Sequence, residues 1–461
     1  MASYDVSPSA PPDKQPAIGL IGMGEMGRMY CRRFSDAGWA HINVCDRQEN
    51  FEKLQEDLKG MDVCMENRLH RSHELSDLSG VKVFRDGHLV SRLSDIIIYS
   101  VEAEYIDRVV AEYGQSTKVG AIVAGQTSVK SPEKLAFEKY LPDDVHIVSC
   151  HSLHGPTVST EGQPLVLIQH RAPDWALHVM EDLLAPFKSR YVYLTYEEHD
   201  IVTANTQAVT HAAFLSMGTA WHSSMSYPWE MGQYVGGIET VKVNIMLRIY
   251  ANKWHVYAGL AILNPSARIQ IDQYAQSVTE LFKLMITGDE AGLKKRVYDA
   301  REIVFSSSAQ QRPPILLSEE MLDRFSLGSR PQTPIRPRAN SHLSLLAMVD
   351  CWAALRIRPY EHLDLAATPI FRMWIGVAEY LFRSNDRLDA AVQAAVYDVS
   401  HRSDDLEFVV AARGWSQCVS FGNFDLYRER FTHTATFFES RFPEANRVGS
   451  QMIKAILEAA P

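Results

Sequence analysis

Gly22-Met23-Gly24-Glu25-Met26-Gly27 follows directly on the apolar run Ala17-Ile18-Gly19-Leu20-Ile21 and opens a helical stretch that runs to about Gly38. Three glycines at this spacing suit one local geometry. The first permits a tight turn, the second lets backbone approach a pyrophosphate, and the third allows close packing of helix on strand, with the helix N-terminus toward the phosphates. The bare pattern is common. Its strand–turn–helix setting makes it a dinucleotide-binding signature, strengthened because the next apolar run, Ile42-Asn43-Val44-Cys45, ends at Asp46. Gly22, Gly24, Gly27, Asp46 and Arg47 are therefore the candidate cofactor-binding residues. The last two pull apart. A carboxylate at Asp46 favours the free ribose of NAD, whereas Arg47 can grip the 2′-phosphate of NADP. The residues alone leave that choice open.

Short apolar runs then alternate with helical stretches. Strands are predicted at residues 81–84, 95–101, 119–123 and 146–149, which reads as a parallel, doubly wound α/β sheet of the Rossmann type. Leu165-Val166-Leu167-Ile168 and Tyr191-Val192-Tyr193-Leu194 would extend it at one edge. Residues 51–78 read as a helix plus a loose insertion, centred on 61–80. Glu197-Glu198-His199-Asp200 opens a long helix, with acids where the helix dipole favours them, and the rest of the chain reads as all-α. Five prolines and three consecutive serines between Ser306 and Asn340 mark a linker. The expected division is a disordered lead-in at 1–16, a dinucleotide-binding domain at 17–195, a helical substrate domain at 196–305, the linker at 306–340 and a second helical subdomain at 341–461.

Composition removes several classes. A formal net charge of −10 leaves no basic footprint for nucleic acid. No apolar run approaches the ~18 residues of a membrane span. The six cysteines are scattered without a CxxC pair, as in a reduced, cytoplasmic protein, and no cluster has metal-ligand spacing. The first 16 residues contain four prolines and no apolar core, unlike a targeting peptide.

Chemistry is expected at two further places. Gly125-Gln126-Thr127-Ser128 and His151-Ser152-Leu153-His154-Gly155-Pro156 end neighbouring strands, where open α/β sheets bind ligands, so Ser128 and His151 are candidate catalytic residues. In the helical half, His211 lies on an apolar helix face, where histidine is ordinarily a satisfied core residue. Arg248 lies among apolar neighbours and needs a carboxylate, from the protein or from a substrate.

The ordered blocks IGLIGMGEMG, CDR, GHLVSR, SDIIIYSVEA, GQTS, HSLHGP, EGQPLV, YLTYEEHD, TQAVTHAAFLSMG, LRIYANKWHVYAGLAILNPSA and NSHLSLLA together resemble the fungal prephenate dehydrogenases of tyrosine biosynthesis, over nearly the whole chain from Ala17. The resemblance implies an oxidoreductase that converts prephenate and NADP to 4-hydroxyphenylpyruvate, carbon dioxide and NADPH, with NAD the lesser cofactor. It further implies that His151 accepts the ring hydroxyl proton, that Ser128 orients hydroxyl and nicotinamide, and that His211 and Arg248 bind substrate. Gln207–Thr210 departs from the bacterial pattern, which has a second histidine and a proline there. Two other readings compete. One is a β-hydroxyacid or 6-phosphogluconate-type dehydrogenase, which would place a lysine base where residues 197–221 have none. The other is an NADP-binding redox sensor, which would not need Ser128 and His151. Finally, residues 211–221 can be laid over 342–352 as an internal repeat. A chain with two such helical copies would be a monomeric pseudo-dimer, where bacterial members of the family form homodimers through their helical domains.

Overall fold

The computed structural model describes residues 6–59, 80–156, 158–305, 313–327, 340–366 and 369–458, which fall into two compact units, 1–199 and 200–461. The first unit carries β1 (Ile18–Ile21), β2 (Ile42–Cys45), β3 (Val81–Val83), β4 (Ile96–Tyr99), β5 (Ile122–Gly125), β6 (His146–Ser152), β7 (Pro164–Gln169) and β8 (Arg190–Tyr193) in one sheet, ordered β3-β2-β1-β4-β5-β6-β7-β8. The chain reverses direction across the sheet between β1 and β4, the crevice where such folds bind ligands. Helices α1 (Glu25–Ala37), α2 (Phe51–Lys59), α3 (Gly87–Leu93), α4 (Ile106–Tyr113), α5 (Lys130–Tyr140) and α6 (Asp174–Leu184) cover the sheet.

Strand alternation sends each central strand into two cores. Ile96 and Ile98 join Tyr30 and Phe34 of α1 and Met180 of α6, while Ile97 and Tyr99 join Ile106 and Val110 of α4 and Phe137 of α5. Burial on both faces is what the unbroken apolar runs anticipate. α1 stops at Gly38, whose left-handed backbone lets its N–H reach the carbonyls of Phe34 and Ser35.

Three expectations need correction here. β7 runs antiparallel to β6 and so breaks an otherwise parallel sheet. The described residues between the two form turns and no helix, so the chain reverses where a parallel crossover would have needed one. β5 starts at Ile122, because Lys118–Ala121 closes a turn with Gly120 at φ 71° and Val119 is 77% exposed. The lead-in, from Val6 on, is ordered against the domain. Gln15 donates to the Ala10 carbonyl at 2.8 Å and accepts the Ala40 N–H at 2.8 Å, bonds that local composition does not announce. Most of the 61–80 insertion, including Cys64, lies outside the described residues. The five described cysteines are all buried free thiols.

In chain order the remaining helices are α7 (Tyr196–Ser223), α8 (Gly237–Tyr250), α9 (Trp254–Leu263), α10 (Pro265–Thr287), α11 (Glu290–Val304), α12 (Glu319–Leu322), α13 (Leu343–Ala354), α14 (Pro359–Ala366), α15 (Pro369–Phe382), α16 (Asn385–Tyr397), α17 (Arg402–Ser420), α18 (Phe424–Phe438) and α19 (Phe442–Glu458). The division between units falls in the first turn of α7, after His199. Helices from both sides of the 306–340 stretch share the second unit's core: α10 packs on α13 and α17, and α11 on α13. The described part of that stretch is packed as well, burying Leu316, Leu317 and Leu322. Its other residues lie outside those described. In the proposed repeat, His211 sits inside α7 whereas His342 precedes α13 in a left-handed conformation, so the two hold different local positions. No described helix is long and apolar enough to cross a membrane.

Candidate active site

The glycine turn is built as its spacing requires. Gly22 has φ 99°, and a side chain there would meet the Ser100 carbonyl at 2.4 Å. A side chain at Gly27 would come within 2.2 Å of the Gly22 carbonyl, so α1 packs on the turn only without one. At Gly24, which caps α1, nothing lies within 4 Å of where a side chain would start. That open ground in front of a helix N-terminus fits a diphosphate. Beside it, Ser100 Oγ donates to Gln126 Oε1 at 3.0 Å, and the buried Gln126 Nε2 has no partner within the protein. These residues fit a dinucleotide.

At the adenosine end of such a site, Asp46 does not wait for a ribose with both oxygens free. Its Oδ2 accepts the Met23 N–H at 3.2 Å and its Oδ1 the Arg47 N–H at 2.7 Å. Arg47 is 76% exposed and pairs with Glu49 at 3.0 Å. The β2–β3 register, Val44 beside Val83, brings Arg85 off β3 level with Asp46 off β2. Its guanidinium lies 4.3 Å over the Phe51 ring. No local pattern pointed to Arg85, because that pairing joins strands separated by the insertion.

The ends of β5 and β6 are locked by a buried ion pair. Lys130 and Glu133, both 0% exposed, pair at 2.9 Å. Lys130 Nζ also donates to the carbonyls of Gly125 and Cys150, at 2.9 and 3.0 Å. Glu133 accepts Thr127 Oγ1 at 2.5 Å and the Ser149 hydroxyl. Ser128 therefore sits in a bend clamped between two fully engaged neighbours, Thr127 and the buried Val129. Replacing Lys130 with Met would strand the Glu133 carboxylate. The expected loss is about 3–5 kcal/mol of folding stability, read as a lower denaturant midpoint at unchanged slope.

His151 leaves the same end of the sheet and meets a partner not anticipated from the sequence. His151 Nδ1 lies 2.8 Å from Nε2 of His199, which is 0% exposed. A capping box places His199. Thr195 Oγ1 accepts the Glu198 N–H at 3.1 Å and Glu198 accepts the Thr195 N–H at 2.8 Å, fixing the first turn of α7. Burial first, then the neighbouring His199 and Lys130, push the His151 pKa well below the ordinary histidine value. His151 is thus neutral near pH 7 and open to protonation. The Thr195-x-x-Glu198 pattern was visible in the sequence; the meeting with His151, 48 residues away, was not.

In the second unit, His211 and Arg248 both border Tyr257. The His211 ring lies 4.7 Å from Tyr257 and 4.8 Å from Trp374, edge to face, and its buried Nε2 has no partner. Burial lowers its pKa to about 3, so it too is neutral. The Tyr257 hydroxyl accepts Asn252 Nδ2 at 3.1 Å. Arg248 interacts electrostatically with Tyr257, and its buried Nε is unpartnered. Among the described residues no carboxylate pairs with it, so the protein acid that sequence reasoning ordinarily assigns to such an arginine is not there. Nor, among the described residues, do three or more His, Cys, Asp or Glu side chains gather as a metal site would need.

Comparison with known proteins agrees with this geometry. The family model for the 6-phosphogluconate dehydrogenase C-terminal domain, in its tyrosine-enzyme-like form, matches residues 208–458. A Schizosaccharomyces pombe protein named probable prephenate dehydrogenase (NADP+) is 51% identical over 96% of this chain and 97% of its own. The Saccharomyces cerevisiae prephenate dehydrogenase (NADP+) is 51% identical over 95% of this chain and 94% of its own. A solved prephenate dehydrogenase from Aquifex aeolicus is 17% identical with a TM-score of 0.43, covering 60% of this chain and 94% of that one. At half the residues identical across nearly its full length, the chain belongs to the prephenate dehydrogenase family.

Proposed function

We propose that this protein carries out the NADP-dependent oxidative decarboxylation of prephenate to 4-hydroxyphenylpyruvate in tyrosine biosynthesis, with His151 as the base. The observation that carries this reading is a neutral, buried histidine held at the carboxyl end of β6, in a domain whose glycine turn leaves room for a dinucleotide. The bound nicotinamide supplies the hydride acceptor. His151 accepts the proton of the ring hydroxyl as hydride departs from the same carbon. Loss of hydride acidifies that hydroxyl, so a base of depressed pKa is strong enough. The carbon–carbon bond to the ring carboxylate then breaks, its electron pair makes the ring aromatic, and His151 returns its proton to the phenolate oxygen. Ser128 orients the hydroxyl. Arg248 offers a two-pronged donor to a substrate carboxylate, which supplies the anion the protein does not. His211, uncharged between Tyr257 and Trp374, contributes a donor or acceptor without adding charge.

The glycine turn and the start of α1 would hold the diphosphate, with Gln126 beside them, and Arg47 and Arg85 would take the 2′-phosphate. Arg47→Ala should raise the KM for NADP severalfold more than that for NAD. Equal effects on both would make Arg47 a bystander. The family-level test is direct: absorbance at the NADPH wavelength should rise only when protein, NADP and prephenate are all present, and silence with all three would remove the reading.

One active site per chain is expected, formed by the first helical half, with helices after residue 340 acting as scaffold. This is supported by the shared core of α10, α11, α13 and α17. Light scattering at low micromolar concentration should then give a monomer mass near 52.0 kDa. A tight dimer joined through the 197–300 helices of both copies would overturn it.

A further inference from the structure

His199 has no role in the reaction as described so far, yet it makes the contact that decides what His151 can do. Two neutral imidazoles 2.8 Å apart, Nδ1 to Nε2, share a single proton. If His199 donates it, His151 carries its own proton on Nε2 and has no lone pair left for a substrate. If His199 accepts, His151 is held as the Nδ1–H tautomer, and its Nε2 is a free base. The surroundings favour keeping His199 uncharged. It is wholly buried in the first turn of α7, where the helix dipole disfavours a cation. The other charged or titratable groups acting on His151 are Lys130 and His154, and each also opposes a second positive charge.

We propose that His199 is a positioning residue for the reaction above: its Nε2 accepts the Nδ1–H of His151, fixes the tautomer that leaves His151 Nε2 open, and steadies the imidazolium formed when that nitrogen takes the substrate's proton. The role is that of a triad's third member, filled by a neutral ring where a carboxylate is more usual. A neutral acceptor suits a buried site that already contains the Lys130–Glu133 pair, since it introduces no further charge. The inference rests on His151 being the base.

The test uses the full chain with His199→Phe, which keeps bulk but removes the acceptor, and His199→Gln, whose amide oxygen restores one. His199→Phe should lower kcat by at least ~10-fold, within the range for impaired general-base catalysis, while both KM values stay within about threefold. The acidic limb of its kcat/KM profile should also move to lower pH, because protonated His151 has lost its acceptor. His199→Gln should restore most of the turnover and the wild-type limb. Wild-type kinetics in His199→Phe, or equal damage in both variants without movement of the limb, would overturn the proposal. Should His199→Phe fail to fold, 15N spectra of histidine-labelled wild-type protein decide. His151 must show a protonated Nδ1 and a bare Nε2, and the reverse tautomer refutes the assignment. An active His151→Asn enzyme would instead refute His151 as base, so the two failures are separable.

Discussion

His151→Asn should lower kcat by at least ~10²-fold, the usual scale for loss of a general base, while NADP affinity stays unchanged. Asparagine keeps a polar group for His199 to meet, so the variant should fold, and the loss should appear in turnover more than in substrate affinity. The pH profile adds a sign that does not depend on magnitude. A base is inactive when protonated, and burial depresses the pKa of His151, so wild-type kcat/KM should hold down to the ordinary histidine value, about pH 6.5, and fall only below it. His151→Asn should lack that limb. A variant within tenfold of wild type, or one that keeps the limb, would mean the hydroxyl proton goes elsewhere.

Arg248→Ala should do the reverse, weakening prephenate binding by roughly 2–5 kcal/mol while leaving kcat closer to wild type. The structure sharpens this expectation. Burial already lowers the Arg248 pKa and no described acid pairs with it, so removing the guanidinium should not reduce stability and should slightly relieve the free enzyme. Isothermal titration with prephenate or a dicarboxylate analogue reads the binding loss, and thermal melting reads the stability. A variant that melts many degrees lower yet still binds substrate would make Arg248 a structural residue.

Much of the first unit was legible because its information is local. Ile18–Ile21, Ile42–Cys45 and Ile96–Tyr99 are buried on both faces, so their unbroken apolar runs name them as inner strands. The glycine turn is likewise a matter of three residues and their near neighbours. What escaped depends on distant partners. The antiparallel β6–β7 step turns on a missing crossover helix, and the ordered lead-in on Gln15 reaching Ala40. The same holds for the sites. His151 and Ser128 were readable from strand ends, whereas His199 at His151, Tyr257 and Trp374 around His211, and Arg85 beside Asp46 arise only when separate elements meet. For Arg248, its apolar neighbours predicted a required anion but could not say that the fold withholds one.

The measurement that bears most directly on the central claim is a product balance. Purified protein is incubated with prephenate and excess NADP, and 4-hydroxyphenylpyruvate, carbon dioxide and NADPH are quantified from the same reaction. Hydride loss and decarboxylation from one substrate molecule predict the three in equal amounts, with none formed when NADP is omitted. NADPH without matching carbon dioxide and aromatic product, or no NADPH at all, would contradict the account.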